Sequence, residues 1–156
     1  MSTPSTLPSP TPSSPNEPPS GSEKKPNYVL DAFALFALLQ KEKGAATVTA
    51  LLMRAEREQV ALHLSLINWG EVLYSIEREQ GAERFGTWKA KIARLPIQLA
   101  HVNQERVERA AHIKSQHRVS YADAFAIGLA QELEAAIVTG DPEFKSIENL
   151  ISIVWL

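Results

Sequence analysis

Apolar residues recur along the chain with two spacings, and the alternation of those spacings predicts the fold. Helical spacing predicts helices over residues 32–43, 48–59, 69–80, 83–95, 104–117 and 121–134. Short apolar or alternating runs predict strands over residues 28–30, 60–66, 97–102, 135–139 and 151–155. Strands that alternate with helices favour an α/β fold with a mostly parallel sheet covered on both faces.

Residues at the helix boundaries refine these predictions. Gly44 is expected to stop the first helix, and Thr47 is a candidate N-cap for the second. Asn68, Asn103 and Ser120 precede three further predicted helices. Their side chains would accept hydrogen bonds from the backbone N–H groups that the first helical turn leaves unpaired.

The first 26 residues differ in composition from the rest of the chain. They contain eight of the ten prolines and many serines and threonines, and Leu7 is their only sizeable apolar residue after Met1. Such a segment buries too little apolar surface to offset the entropy of ordering. We therefore expect a disordered tail over residues 1–26 and one domain over residues 27–156.

Composition also excludes several classes of protein. The absence of cysteine excludes disulfides, thiolate zinc sites and a cysteine nucleophile. The longest apolar run is short and interrupted by Asp31, which argues against a signal peptide or a membrane span, so we expect a cytoplasmic protein with no membrane partner. The net charge of −2 produces no strong field that would attract nucleic acid. A nucleic-acid partner must therefore be inferred from a specific site.

Four acidic residues are distinguished by their positions. Asp31 and Asp141 come at the ends of predicted strands, whereas Glu71 and Asp123 lie in the first turn of predicted helices. Because ligands of parallel sheets bind outside the carboxyl ends of the strands, such a sheet would gather all four acids at one edge. Asp31 lies within the apolar stretch NYVLDAFALFALLQ, where an unpaired carboxylate would cost several kcal/mol.

Each acid taken alone also fits a structural role at a helix N-terminus. The candidate caps and capping boxes are Asn68 with Glu71, Ser120 with Asp123, Asp31, and Asp141 before Pro142. Capping does not explain why the only three aspartates of the chain all fall at one predicted sheet edge together with Glu71.

A cation would convert the mutual repulsion of such a cluster into binding. Two like charges about 4 Å apart repel by roughly 4 kcal/mol at an effective dielectric constant of about 20. Carboxylate ligands without His or Cys favour Mg²⁺, or Mn²⁺, over zinc. These ions serve phosphoryl chemistry, where they stabilise the attacking and leaving oxygens of an in-line displacement.

Four segments carry a resemblance to a known family. They are YVLDAFALFALL, INWGEVLYSI, SYADAFAIGLA and TGDPEF. In order and spacing they resemble the four acidic motifs of PIN domains, and most of all those of the VapC-type ribonuclease toxins of bacterial type II toxin-antitoxin systems. The resemblance covers about residues 27–156 and leaves out the Pro-rich tail. TGDPEF and ADAFAIGLA are its most specific parts.

The resemblance implies a three-layer α/β/α fold with a mostly parallel central sheet and a metal-dependent endoribonuclease activity on RNA. It implies that Asp31, Glu71, Asp123 and Asp141 hold one or two Mg²⁺ while a water attacks the scissile phosphate in line. It also implies that Thr139 supplies a hydroxyl beside the metal site. The expected partners are an RNA substrate, a second copy of the chain in a homodimer, and a cognate antitoxin.

Other functions remain open on the sequence alone. A solitary PIN-type RNA-processing nuclease would use the same site without an antitoxin, and a non-catalytic interaction module would use the acids as caps. A receiver-type signalling domain also binds Mg²⁺ at a sheet edge, but it needs an acidic pair where Asp31 stands alone. A haloacid-dehalogenase-type phosphatase needs Asp-x-Asp, and Phe33 occupies the second position.

Several other residues are expected to have structural roles. The four histidines lack the spacing of a metal-binding pair. Trp69 would stack on a base if it faced the acids, but packing in the core or an interface is the stronger expectation. The apolar helix over residues 32–43 is expected in the core, with a groove for an antitoxin helix as the alternative.

Overall fold

The computed structural model describes Ser2 and residues 23–156, so the rest of the predicted tail lies outside the described residues. The strands are β1 (Asn27–Leu30), β2 (Ala61–Ser65), β3 (Ile97–Ala100), β4 (Ala136–Thr139) and β5 (Ile153–Trp155). The helices are α1 (Ala32–Leu39), α2 (Ala45–Glu56), α3 (Leu66–Ile92), α4 (Gln104–Gln116), α5 (Tyr121–Glu132) and a 3₁₀ helix (Pro142–Ile147). Within the described residues, no helix is both long and apolar enough to cross a membrane.

The five strands form one sheet in which every pairing is parallel. Their order is β3-β2-β1-β4-β5. After β1 the chain adds β2 and β3 toward one edge of the sheet, and after β4 it adds β5 toward the other edge. The strand order reverses between β1 and β4, and in open parallel sheets the crevice outside the carboxyl ends at such a position is where ligands bind.

Helices cover both faces of the sheet because successive residues of its central strands point in opposite directions. Val29 and Ile137 belong to a core that is completed by α4, α5 and the 3₁₀ helix. Their neighbours Leu30 and Val138 belong to a second core, completed by α1, α2 and α3. The predicted three-layer α/β/α fold with a parallel sheet is confirmed.

Helix α1 is shorter than the sequence predicts. It ends at Leu39 rather than at residue 43, because Lys41 takes a left-handed backbone conformation with a φ of 55°. The N–H of Glu42 then donates to the carbonyl of Ala37, as in a Schellman-type helix end.

Three other helix starts can be compared with the predicted caps. Asn103 and Ser120 are the N-caps of α4 and α5, and their side chains accept hydrogen bonds from backbone N–H groups as expected. The prediction for α2 is wrong, since this helix begins at Ala45 behind Gly44, and Thr47 lies inside it.

Helix α3 also begins earlier than predicted. Its N-cap is Ser65, whose hydroxyl accepts a hydrogen bond from the N–H of Ile67 at 3.2 Å. Asn68 therefore lies inside the helix and Glu71 lies in its second turn, so the predicted capping box is wrong. Gly81, with a φ of 80°, interrupts the helix where the sequence predicts a break between two helices.

Gly44 lies where a side chain cannot be accommodated, and this yields a test of the packing. Its φ is +94°, and a Cβ atom there would lie 2.6 Å from Cβ of Leu156. We expect Gly44→Ala to lower the free energy of unfolding in urea by about 1–3 kcal/mol. Gly86→Ala is the matched control, because Gly86 is exposed in α3 and a Cβ atom there would meet no other atom within 4 Å. Alanine there should raise stability by up to about 1 kcal/mol, and equal effects at both glycines would contradict the packing of Leu156 on Gly44.

Candidate active site

A pocket of about 250 Å³ lies at the carboxyl edge of the sheet. Four of its lining residues are the acids singled out in the sequence: Asp31, Glu71, Asp123 and Asp141. The other lining residues are Ala32, Phe33, Phe36, Ser120 and Glu143. The structure therefore brings the four acidic side chains together beside the point where the strand order reverses.

Asp31 is the most buried of these acids, at 2% exposure, and it follows the last residue of β1. One carboxylate oxygen accepts a hydrogen bond from the backbone N–H of Ala34 at 2.9 Å, which makes Asp31 the N-cap of α1. The other oxygen accepts a hydrogen bond from the hydroxyl of Thr139 at 2.5 Å. Both oxygens of this buried carboxylate are thus held by donors from the chain itself.

Thr139 connects the two aspartates that follow the central strands. It is fully buried at the end of β4 and donates its hydroxyl hydrogen to Asp31. Its oxygen accepts a hydrogen bond from the backbone N–H of Asp141 at 3.0 Å. The hydroxyl therefore fixes the position of Asp31 relative to the turn that carries Asp141.

Asp141 and Asp123 each lie at a helix start and also face the pocket. Asp141 is the N-cap of the 3₁₀ helix, where it accepts a hydrogen bond from the N–H of Glu143 at 2.9 Å. Asp123 lies in the first turn of α5, and its own N–H donates to the hydroxyl of Ser120 at 3.0 Å. The capping arrangement predicted for these two acids is present, and it is compatible with a place in the pocket.

Asn68 lies one turn before Glu71 in α3. Asn68 is fully buried, and its side-chain N–H donates to the carbonyl of Ala122 at 3.3 Å. Burial raises the pKa of the Glu71 carboxyl, and the nearby Asn68 side chain opposes that rise. Asn68 therefore joins the helix that carries Glu71 to the residue before Asp123, a role that differs from the predicted N-cap.

Three carboxylates form the tightest group in the pocket. One oxygen from each of Asp123, Asp141 and Glu143 lies within 4.8 Å of the other two. Glu143 is not among the four acids distinguished by their positions in the sequence. Its position two residues after the candidate cap Asp141, directly behind Pro142, is the signal that would have found it.

Burial, and then repulsion from neighbouring acids, raises the pKa values of Asp31, Glu71 and Asp123. Burial raises the pKa of Asp31 to about 7, the hydrogen bonds from Thr139 and Ala34 oppose this shift, and the charges of Asp123 and Asp141 add to it. Burial, followed by the charge of Asp123, raises the pKa of Glu71. Burial also raises the pKa of Asp123, against the hydrogen bond from Ser120 and with the charge of Asp141.

This set of donors suits a hard divalent cation. The lining residues offer several carboxylate oxygens, which are ligands that suit Mg²⁺ and Mn²⁺. Among the described residues, no His, Cys, Lys or Arg lines the pocket, so no lining side chain neutralises the acids. The carboxylates of Asp123, Asp141 and Glu143 are the ones close enough together to share an ion.

Comparison of the sequence with protein families identifies the fold type. Residues 28–150 match the sequence pattern of the PIN domain family. The chain belongs to the PIN domain family. Comparison with curated protein sequences finds no match.

Solved structures similar to this PIN domain include bacterial toxin-antitoxin proteins. VapBC2 from Rickettsia felis, bound to promoter DNA, has a TM-score of 0.64 at 16% identity, over 82% of this chain and 97% of that one. VapBC from Salmonella typhimurium, bound to DNA, has a TM-score of 0.64 at 19% identity, over 83% and 97%. VapC20 from Mycobacterium tuberculosis, a toxin that cleaves the sarcin-ricin loop, has a TM-score of 0.61 at 16% identity, over 77% and 94%. At these low sequence identities, the structural similarity shows that the proteins share a fold.

Other residues considered in the sequence lie away from the pocket of this PIN domain. Trp69 packs beside Leu64, Ile92 and Leu99 against the core and does not line the acidic pocket, so it is not placed to stack on a base there. His63 is half-buried, and its ring nitrogen Nε2 pairs with the side chain of Asn27 at 3.0 Å. The structural roles expected for both residues agree with these contacts.

The burial of Asp31 predicts how stability depends on pH without a metal. Because its folded pKa is raised to about 7, the folded protein keeps a proton that the unfolded chain releases above about pH 4. The stabilisation from this proton is complete below about pH 4 and is lost as the pH rises from about 4 to about 7, by on the order of 1 kcal/mol per pH unit. We expect Asp31→Asn to reduce this slope between pH 5 and about 7 in urea denaturation with EDTA. Glu56→Gln, at an exposed position in α2, should keep the wild-type slope, and equal slopes for all three proteins would contradict the burial of Asp31.

Proposed function

We propose that this PIN domain is an endoribonuclease that depends on a divalent cation, Mg²⁺ or Mn²⁺. The observation that supports this most directly is the pocket shared by Asp31, Glu71, Asp123 and Asp141 at the sheet edge where the strand order reverses. Membership of the PIN domain family supports it independently. A purely structural role for the acids would require no such convergence, because each helix could be capped without facing a common pocket.

The side chains divide into two groups by their surroundings. Asp123, Asp141 and Glu143 would hold the cation, and Glu71 would bind it directly or through a water. Asp31 would complete the site from its buried position, where Thr139 and the N–H of Ala34 fix its carboxylate. A bound cation would supply the positive charge that lets a phosphodiester approach the acids, and it would acidify the attacking water.

The reaction would be an in-line hydrolysis of the RNA backbone. The oxygen of a water attacks the phosphorus, and the bond from phosphorus to the 3′ oxygen breaks on the opposite side. The proton of the water passes to one of the pocket carboxylates or to solvent, and the departing 3′ oxygen takes up a proton. The products are a 5′-phosphate and a 3′-hydroxyl.

We further propose that the protein is the toxin of a type II toxin-antitoxin pair. The structural neighbours named VapBC and VapC support this assignment, and one of them is described as a toxin that cleaves the sarcin-ricin loop. The proposal includes a cognate antitoxin, a homodimer and a cytoplasmic site of action. A solitary RNA-processing nuclease is the alternative, and a reading frame of roughly 70 to 90 codons directly upstream, whose product relieves growth arrest, would decide for the toxin.

A divalent cation should stabilise the folded protein if the pocket binds it. Mg²⁺ or Mn²⁺ at about 100 times its Kd should add about 2.7 kcal/mol to the free energy of unfolding. The gain should be larger at pH 8 than at pH 6, because the cation binds the ionised carboxylates and Asp31 has a raised pKa near 7. Calorimetry with and without the cation, at pH 6 and pH 8, measures the gain and its pH dependence. Asp123→Asn should show a smaller gain than wild type. No shift of Tm in high millimolar Mg²⁺ or Mn²⁺ would contradict the metal site.

Substitution of the pocket aspartates by asparagine should separate catalysis from capping. Asn caps a helix about as well as Asp does, so Asp141→Asn should keep the 3₁₀ helix, and Asp123→Asn keeps the Ser120 cap of α5. Each variant loses one charge near the scissile phosphate, and we expect RNA cleavage to fall by about 10²-fold or more. Glu56→Gln, away from the pocket, should cleave as wild type does. Cleavage within about threefold of wild type for both aspartate variants, with unchanged circular dichroism, would refute the assignment of the site.

A further inference from the structure

The acidic pocket contains an aromatic surface that cation binding does not explain. Phe33 and Phe36 are the only large apolar side chains among its lining residues. Phe33 is 37% exposed and lies two residues after Asp31, in the first turn of α1. Its neighbours Ala32, Ala34 and Leu35 are all part of the core beneath α1, whereas Phe33 packs in neither core.

The Phe33 ring is held in place by the turn that carries Asp141. A Cβ atom at Gly140 would overlap Cε1 of Phe33 and would lie 2.8 Å from its Cζ. The ring therefore packs directly on the backbone of Gly140, in space that any other residue at that position would fill. Phe33 thus lies between the segments that carry Asp31 and Asp141, with one edge packed on Gly140 and about a third of its surface exposed.

The charges of the pocket restrict what can bind to this ring. A nucleic-acid strand brings negative phosphates, and in the part of the chain that the structure describes neither Lys nor Arg lines the pocket. A bound cation would offset the repulsion between the pocket carboxylates and the scissile phosphate, but not the repulsion of the neighbouring phosphates. The neighbouring nucleotide needs an attraction that does not depend on charge, and a neutral base stacked on an aromatic ring provides one.

We propose that Phe33 stacks with an unpaired base next to the scissile phosphate and so positions the nucleotide for attack. The proposal rests on the proposed nuclease function and adds to it the side chain that holds this nucleotide. A base within a duplex is stacked on its neighbours and cannot lie on the ring without being displaced. Trp69, the aromatic residue that the sequence placed beside Glu71, packs on the core and is not available for this role.

An RNA-binding assay tests the role of Phe33 separately from RNA cleavage. The probe is a fluorescein-labelled single-stranded RNA about 15 nucleotides long, titrated with the full chain in Ca²⁺ and checked for intact RNA afterwards. We expect Phe33→Leu to weaken binding by roughly 5- to 100-fold, and Phe33→Tyr, which keeps a ring, to bind as wild type does. Tyr28→Leu is the matched control, because it removes an aromatic side chain at the opposite end of β1.

A fluorescent base gives a direct signal for stacking. RNA with 2-aminopurine at successive positions should gain fluorescence when it binds wild type, at one position at least, because that base leaves its neighbours for the ring, and the change should be smaller with Phe33→Leu. A duplex of the same sequence should bind more weakly than the single strand, and Phe33→Leu should not change its affinity.

The possible results separate this proposal from the proposed function. Equal binding of single-stranded RNA by wild type and Phe33→Leu, with unchanged circular dichroism, would overturn the stacking role while RNA cleavage by wild type continued. If Phe33→Leu no longer bound a co-expressed antitoxin but bound RNA as wild type does, the ring would belong to a protein interface instead. Absence of RNA binding and cleavage by wild type in any divalent cation would refute the nuclease function itself.

Discussion

The buried carboxylate of Asp31 is the constraint on which the carboxyl edge of the sheet depends. Its two oxygens need donors, and both donors exist only in the assembled fold. The N–H of Ala34 is free because α1 begins at that point. The hydroxyl of Thr139 is in reach because Leu30 pairs with Val138, which sets the next residues of β1 and β4 side by side. A slip of one residue in this pairing would direct the side chains of β4 to the wrong faces and leave Asp31 with one donor.

Capping and chemistry are combined in the same side chains in this protein. Asp31 and Asp141 are N-caps, and Asp123 lies in the first turn of α5 behind Ser120. The positive ends of α1 and α5 therefore lie near the acids and offset part of their repulsion. Burial, with repulsion between the acids as a smaller cause, still raises the pKa values of Asp31, Glu71 and Asp123. The folded chain thus holds an excess of negative charge that a divalent cation can neutralise.

The sequence predicts the layers of this fold better than it predicts the detail of the pocket. Periodicity identifies the strands and helices, because a buried strand and an amphipathic helix repeat differently along the chain. It does not decide between Ser65 and Asn68 as N-cap, since both are good caps and the choice depends on where β2 ends. Glu143 and Phe33 are exposed residues of ordinary type, and their importance comes from residues distant in sequence that the fold brings beside them. The interpretation of the tail rests on composition alone.

The pairing of β1 with β4 also determines when the pocket can exist during synthesis. Asp31 and Thr139 are separated by 108 positions, and closing so long a loop is entropically costly and slow compared with forming local helices. Synthesis proceeds from the N-terminus, so Asp31 and α1 leave the ribosome long before their partners in β4 and the 3₁₀ helix. Helices α1 to α3 can form early, but three carboxylates of the pocket, those of Asp123, Asp141 and Glu143, belong to the last third of the chain. A nascent chain therefore acquires its acidic pocket only after β4 and the 3₁₀ helix have been synthesised, and fragments that stop before β4 lack it.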